Sequence, residues 1–355
     1  FEEARTVLGE AVERARAAGE ALVEAHARIG EALLRVQADP EGSGAEASRV
    51  AGEAIPVLEA AGDHLGLARA YRLRSTGPWV LARFADMAGD AERAAEHARL
   101  AGDPGELRLA LDMLRVALVF GPLPVAEVLP RLEEIDRETF GARGEGSLAT
   151  DIPLAMQGRF EEARRVNDEW RAAYEELGRP QWMAAFDLAR GVIELLADEP
   201  GEAERFLRRG REDFLRIGEK GVLSTLSAQL ARALCLQGRF EEAVPFVEES
   251  REAAASEDAA SQISWRTSMA MVLASRGDLT GAERLAREAV AIGRDTDGLD
   301  AIAEALADLA EIVTRAGRIG EAADLLREAV ELWERKGNVV SAARARERLA
   351  HLEDS

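Results

Sequence analysis

The 355-residue chain holds few groups that could do chemistry, and the first are two carboxylate pairs, Glu161-Glu162 and Glu241-Glu242. Neighbouring carboxylates work as acid and base when their surroundings push their pKa values apart. These two belong to a repeated hexapeptide, Gly158-Arg-Phe-Glu-Glu-Ala163 and Gly238-Arg-Phe-Glu-Glu-Ala243. A catalytic pair has no reason to recur with a structural unit. Carboxylates in the first turn of successive helices do, because they complement the helix dipole. The four histidines, His26, His64, His97 and His351, are far apart, and none has a His or Cys at i+3 or i+4. A metal site would need ligands gathered from different repeats. Cys235 is the only cysteine, has no nearby histidine and lies on an apolar helix side, so it reads as a buried thiol. Neither Gly-x-Ser-x-Gly nor a Gly-rich loop followed by Lys and Ser/Thr occurs. The sequence therefore predicts no catalytic residue, no metal, no cofactor and no enzyme.

Binding chemistry is better represented. Trp182, Trp265, Arg83, Arg232, Arg266, Gln181, Gln229 and Met271 include the residue types that dominate interaction hot spots. Gathered in one groove they would hold a peptide or a helix. The alternative is that Trp182 and Trp265 plug junctions between helices and the arginines are solvated salt-bridge partners. Which holds depends on the elements that carry them.

Those elements repeat. Degraded copies of the hexapeptide stand at Asp198-Glu-Pro-Gly-Glu-Ala203, Gly277-Asp-Leu-Thr-Gly-Ala282 and Gly317-Arg-Ile-Gly-Glu-Ala322. The closing alanines, Ala163, Ala203, Ala243, Ala282 and Ala322, are 40, 40, 39 and 40 residues apart. Self-similarity at such a period signals a stacked solenoid. Within one period, Leu223, Leu226, Leu230, Leu234 and Leu236 are expected to share a helix face, and Phe240, Ala243, Val244, Val247 and Ala254 another after a break at Gly238. Small residues recur twelve before and seven after the marker alanine: Ala231 and Ser250, Ala270 and Ala289, Ala310 and Ala329, Gly191 and Gly210. They let antiparallel helices approach closely. This pattern resembles the tetratricopeptide repeat (TPR) in a lengthened form, with Leu, Val and Phe mostly replacing its large aromatics. The expected fold is an all-α, TPR-like α-solenoid, a right-handed superhelix of antiparallel helix pairs. In such arrays the first helix of each pair lines the concave surface, and the marker offsets put Arg83, Arg232, Met271 and Glu311 at one inward position.

A single continuous solenoid is expected over 1–355: degenerate repeats at 1–140, a loop at 141–150, the regular array at 151–337 and a capping helix at 338–355. In the degenerate part, 65–88 is expected to be a first helix broken at Gly77-Pro78. Its partner is expected over 89–101, with Ala82 and Ala94 at the small-residue offsets. The chain opens at Phe1 inside the pattern Phe-Glu-Glu-Ala, which reads as a piece of a longer protein.

Composition agrees. Ala, Leu, Glu and Arg dominate and aromatics make up 5%. With 66 acidic against 45 basic residues the formal charge is -21. No basic stripe is available to neutralise nucleic-acid phosphates, and an anionic membrane surface is equally disfavoured. No apolar run approaches the roughly 20 residues of a membrane span, and no signal peptide opens the chain. A cytoplasmic location is expected.

Three stretches carry a more specific resemblance: Glu334-Arg-Lys-Gly-Asn-Val-Val-Ser-Ala-Ala-Arg-Ala-Arg346, Ala260-Ser-Gln-Ile-Ser-Trp-Arg266 and Gly66-Leu-Ala-Arg-Ala-Tyr71. They resemble the TPR-rich C-terminal region of large bacterial signalling proteins. There a class III adenylate/guanylate cyclase or DNA-binding domain precedes an AAA-like STAND ATPase module, and the repeats come last. The resemblance covers essentially the whole chain. It implies a regulatory array that docks a protein or peptide, including its own upstream ATPase or output domain. Related arrays bind small inducers, so the resemblance also implies a second function, a receptor with its pocket inside the superhelix.

Overall fold

The computed structural model describes residues 2–38, 41–140, 149–176, 183–217 and 221–354. Among the described residues every regular element is a helix and no strand occurs, so the fold is an all-α, TPR-like α-solenoid of antiparallel helix pairs. Two compact units divide the chain: Phe1–Gly121 with Ala255–Glu257, and Pro122–Ala254 with Asp258–Ser355.

The first unit holds α1 (Glu2–Ala18), α2 (Ala21–Ala38), α3 (Ser43–Ala61), α4 (His64–Arg74), α5 (Thr76–Val80), α6 (Phe84–Ala101) and α7 (Pro104–Phe120). Its helix ends follow ordinary capping chemistry. The Asp103 side chain accepts from the amides of Gly105 and Glu106, both at 2.9 Å, with Pro104 in the first turn where no amide is needed. Gly77 and Pro78 do not break a helix: both lie inside α5, the interruptions fall at Ser75 and at Leu81 to Arg83, and the next helix starts at Phe84 rather than at 89. The reason is a backbone turn that the small-residue offsets misread. Ala82 takes a left-handed φ of 49°, its amide bonds Trp79 O, and the Arg83 amide bonds Pro78 O. Gly238 and Arg239 make the same pair of bonds, to Cys235 O and Leu234 O. Ala82 is thus the counterpart of Gly238, not of Ala231. Arg83 caps the start of α6, exposed, and is not an inward-facing residue.

The second unit holds α8 (Val125–Phe140), α9 (Asp151–Met156), α10 (Phe160–Glu176), α11 (Met183–Leu196), α12 (Pro200–Ile217), α13 (Gly221–Leu236), α14 (Phe240–Ala253), α15 (Ala259–Ser275), α16 (Leu279–Arg294), α17 (Leu299–Arg315), α18 (Ile319–Lys336) and α19 (Val339–Glu353). Most of the expected 141–150 loop, residues 141–148, lies outside the described residues. Each helix packs on its chain neighbours, and α9, α11, α13, α15 and α17 also touch in succession, forming an inner layer. Apolar burial follows the same order. One cluster spans α9 to α11, a second α11 to α15 and a third α15 to α19, with Trp265 and Met269 packed on both of the last two. All five marker alanines are 0% exposed, so a larger side chain at any of them would force two helices apart.

The turn within each pair repeats the same left-handed residue: φ is 75° at Gly158, 63° at Asp198, 74° at Gly238, 83° at Gly277 and 78° at Gly317. Asp198 is the exposed non-glycine in this series. Replacing Asp198 with Gly relieves an unfavourable φ, and chemical denaturation should show a gain of about 0.5–1 kcal/mol.

Gly191 shows the opposite requirement. A Cβ there would stand 2.5 Å from Leu207 Cγ, whereas a Cβ at Gly201 meets nothing within 4 Å. Gly191→Ala should therefore destabilise by about 1.5 kcal/mol through overpacking of α11 on α12. Gly201→Ala should stabilise by a few tenths up to about 1 kcal/mol through helix propensity. Urea midpoints of the two variants would settle the sign of each.

Candidate binding groove

Inside the second unit the repeat period converts directly into a lined surface. Positions 18, 14 and 11 before each marker alanine face the same way along the first helices. On α13 they are Thr225, Gln229 and Arg232; on α15, Ser264, Ser268 and Met271; on α17, Glu304, Asp308 and Glu311. A cleft of about 20 Å³, room for about one water-sized group, is lined by Gln229, Arg232, Ser264, Thr267, Ser268 and Glu304 among others.

Arg232 dominates it. The guanidinium crosses from α13 to α17, past α15, over 76 residues of chain. Its Nη1 donates to Asp308 Oδ2 at 2.7 Å and its Nη2 to Asp308 Oδ1 at 3.3 Å, while Nε lies 2.8 Å from Glu304 Oε1. Met271 Sδ is 4.0 Å from Nη1. Burial alone would lower the Arg232 pKa, but Asp308 and Glu304 outweigh it and raise the value further, so the guanidinium is permanently charged. Crowding inside the coil pushes the Glu304 carboxyl above its ordinary range; Arg232 pulls it back, and Asp308 and Asp300 push it up again. One guanidinium thus faces two carboxylates, leaving an excess negative charge beside the cleft. Gln229 makes no hydrogen bond among the described residues, which leaves its amide donors and acceptor available.

The remaining sequence candidates separate. Gln181 and Trp182 lie outside the described residues. Trp265 is partly buried against two core clusters, and its indole donates to Gln262 Oε1 at 3.0 Å. The Arg266 guanidinium stacks on that indole, 4.2 Å from the ring centroid, and reaches Glu288 of α16 at 3.2 Å. Neither residue lines the cleft, so the structure joins Gln229, Arg232 and Met271 but not Trp265 and Arg266. Glu304 and Asp308 were not singled out from sequence. The signal was there: they precede Glu311 by seven and three residues, at the offsets that Thr225 and Gln229 hold in α13.

The thiol and the histidines lie outside the cleft. Burial pushes the Cys235 thiol up to about 12, so it is protonated at neutral pH and a poor nucleophile. In the first unit His64 Nδ1 and His97 Nδ1 do meet at 3.1 Å, and His26 Nε2 lies 2.5 Å from Asp63 Oδ2. Among the described residues no group of three or more His, Cys, Asp or Glu side chains could hold a metal ion. No described helix is long and apolar enough to cross a membrane.

A polar inner face on stacked helical hairpins is the architecture of TPR-type scaffolds, a class that is typically non-catalytic. Comparison agrees: residues 221–295 and, overlapping them, 261–335 match the tetratricopeptide repeat family. Solved structures resemble the chain at low identity, one of them with a TM-score above 0.5. A Rap protein complexed with competence and sporulation factor is 13% identical, with a TM-score of 0.53 over 99% of this chain and 98% of that one. The apo form of RapI is 12% identical, with a TM-score of 0.44 over 88% and 98%. A signal transduction ATPase with numerous domains and a TPR sensor, from Pyrococcus horikoshii, is 13% identical, with a TM-score of 0.41 over 84% of this chain and 42% of that one. No curated protein matches the chain in sequence.

Proposed function

We propose that the chain is a non-catalytic interaction and sensor module of a cytoplasmic bacterial signalling regulator. Its partner, a peptide or protein segment, docks on the inner face of the second unit at Gln229, Arg232 and Met271. The carrying observation is the uncommitted Gln229 amide beside a charged, half-enclosed cleft. An amide with free donors and acceptor suits a peptide main chain. The Rap protein of the same fold is seen complexed with a factor, which supports a groove-bound partner. The cyclase or transcription-regulator context rests on the sequence resemblance, and the chain's own upstream ATPase or output domain is the partner it favours.

Gln229 also provides the test. Having no protein hydrogen bond to lose, Gln229→Ala should change stability by less than about 0.5 kcal/mol. Displayed random peptides selected on the full chain should bind this variant at least about tenfold more weakly, the loss of roughly 1.4 kcal/mol. Selection that yields no binder, or binders indifferent to Gln229→Ala, would reject the groove. A thermal shift with small metabolites but with no peptide would favour the inducer receptor.

A further inference from the structure

In a solenoid, each repeat is expected to touch only its neighbours. The second unit breaks that rule where its chain ends return to one another. Gln157, just after α9, donates from Nε2 to Gly337 O at 2.7 Å, across 180 residues. The Arg344 guanidinium of α19 donates to Leu196 O, at the end of α11, at 2.6 Å across 148 residues. Lys336 Nζ donates to Leu123 O at 3.1 Å across 213 residues. The contact is close as well as polar: a Cβ at Gly337 would lie 3.4 Å from Val125 N. Helices α9 and α19 touch directly. Within five helix pairs the coil has therefore come back on itself, and Arg232 spans its interior from α13 to α17.

The joint is an uneasy one. Lys336 is 1% exposed although its side chain ends in an ammonium. Asp300 accepts from Asn338 Nδ2 at 2.9 Å through Oδ1, but its Oδ2 is buried and meets no donor in hydrogen-bond geometry among the described residues. Buried ionic groups that are incompletely satisfied add little net stability. A contact of this kind holds a shape without locking it.

We propose that the second unit is a clasped coil. The meeting of its first and last helix pairs, through Gln157–Gly337 and Arg344–Leu196, holds the inner face closed, and release of that clasp is the step that admits a partner. The proposal rests on the groove reading for what enters, but not for the clasp itself. Closed, the cleft beside Arg232 has room for about one water-sized group, and a peptide needs the inner helices further apart there. Opened at the clasp, the stacked helix pairs keep their nearest-neighbour burial, and the cross-coil bonds and the contact of α9 with α19 are lost.

The clasp can be read without any ligand. Spin labels at Glu199→Cys and Ala343→Cys, both exposed, in a Cys235→Ala background of the full chain, report the separation of α11 and α19. The parent should give one narrow distance distribution. Combining Gln157→Ala with Arg344→Ala should add a population longer by roughly one helix diameter, about 10 Å, with helicity retained by circular dichroism. A distribution identical to the parent overturns the proposal. If the double variant loses helicity, Gln157→Ala and Arg344→Gln are read singly, and parent-like distances in both overturn it. A clasp that opens while selected peptides ignore Gln229 would leave the clasp standing and remove the groove. Peptide binding with no change in distance would do the reverse.

Discussion

Arg232→Ala is expected to destabilise the second unit strongly for a polar residue. The guanidinium is the shared counter-charge of Asp308 and Glu304, at 2.7 and 2.8 Å. Its loss strands two carboxylates in a crowded interior. Breaking a buried pair on one side costs about 3–5 kcal/mol. The Glu304 side chain is 44% exposed, so solvent screens part of the repulsion and about 2–3 kcal/mol is the better figure. The loss should be largest at neutral pH and shrink as Glu304, whose carboxyl is held above its ordinary range, takes up a proton on acidification. Arg232→Ala together with Glu304→Gln and Asp308→Asn should recover most of the loss, since no stranded charge remains. Urea titrations of the single and triple variants measure both effects. Equal stability of parent and Arg232→Ala would show that the pair is solvated in practice.

The second large effect is a rise in stability with alkaline pH. Burial lowers the Lys336 pKa from an ordinary 10.5 to about 8, against the pull of Asp300 and Asp297. Below that value both folded and unfolded chains carry the proton, and the full penalty of burying the ammonium is present. Between about 8 and 10.5 the unfolded chain still binds the proton that the folded protein has released, so stability rises with pH. The full window corresponds to a gain on the order of 3 kcal/mol. Lys336→Met should remove this rise, because no buried ammonium is left to neutralise, and leave the smaller opposite fall from Cys235, whose thiol pKa is raised by burial from 9.0 to about 12. Denaturation at pH 7.5 and 9.5 compares the two, and parallel slopes in parent and variant would refute the assignment.

Much of this was legible in the sequence where the repeat is regular. The marker alanines and the flanking Ala231, Ala270 and Ala310 are all 0% exposed, because a fixed spacing reports a fixed helix–helix contact. The same spacing failed at Ala82. A methyl-bearing residue normally marks a packed helix, yet here it occupies the left-handed turn that glycine fills in most other repeats. The misreading carried Arg83 with it. Inside the proposed groove, offset counting pointed to Arg232 and Met271 and residue type to Gln229, but types alone could not tell which way Trp265 and Arg266 face. Their neighbours Gln262 and Glu288 decide that, and both contacts depend on side-chain direction rather than on period. The returning contacts of Gln157, Lys336 and Arg344 left no trace in sequence, because coil curvature accumulates from small rotations between pairs and no residue type encodes it.

The central claim is that a partner lies on the inner layer of first helices in the second unit. A photoreactive amino acid at Met271, inside the coil, and in a separate variant at Arg284, on α16 with 63% of its side chain exposed, tests it most directly. A peptide selected on the full chain should crosslink from position 271 and not from 284. Crosslinking from 284 alone, or equally from both, would contradict it.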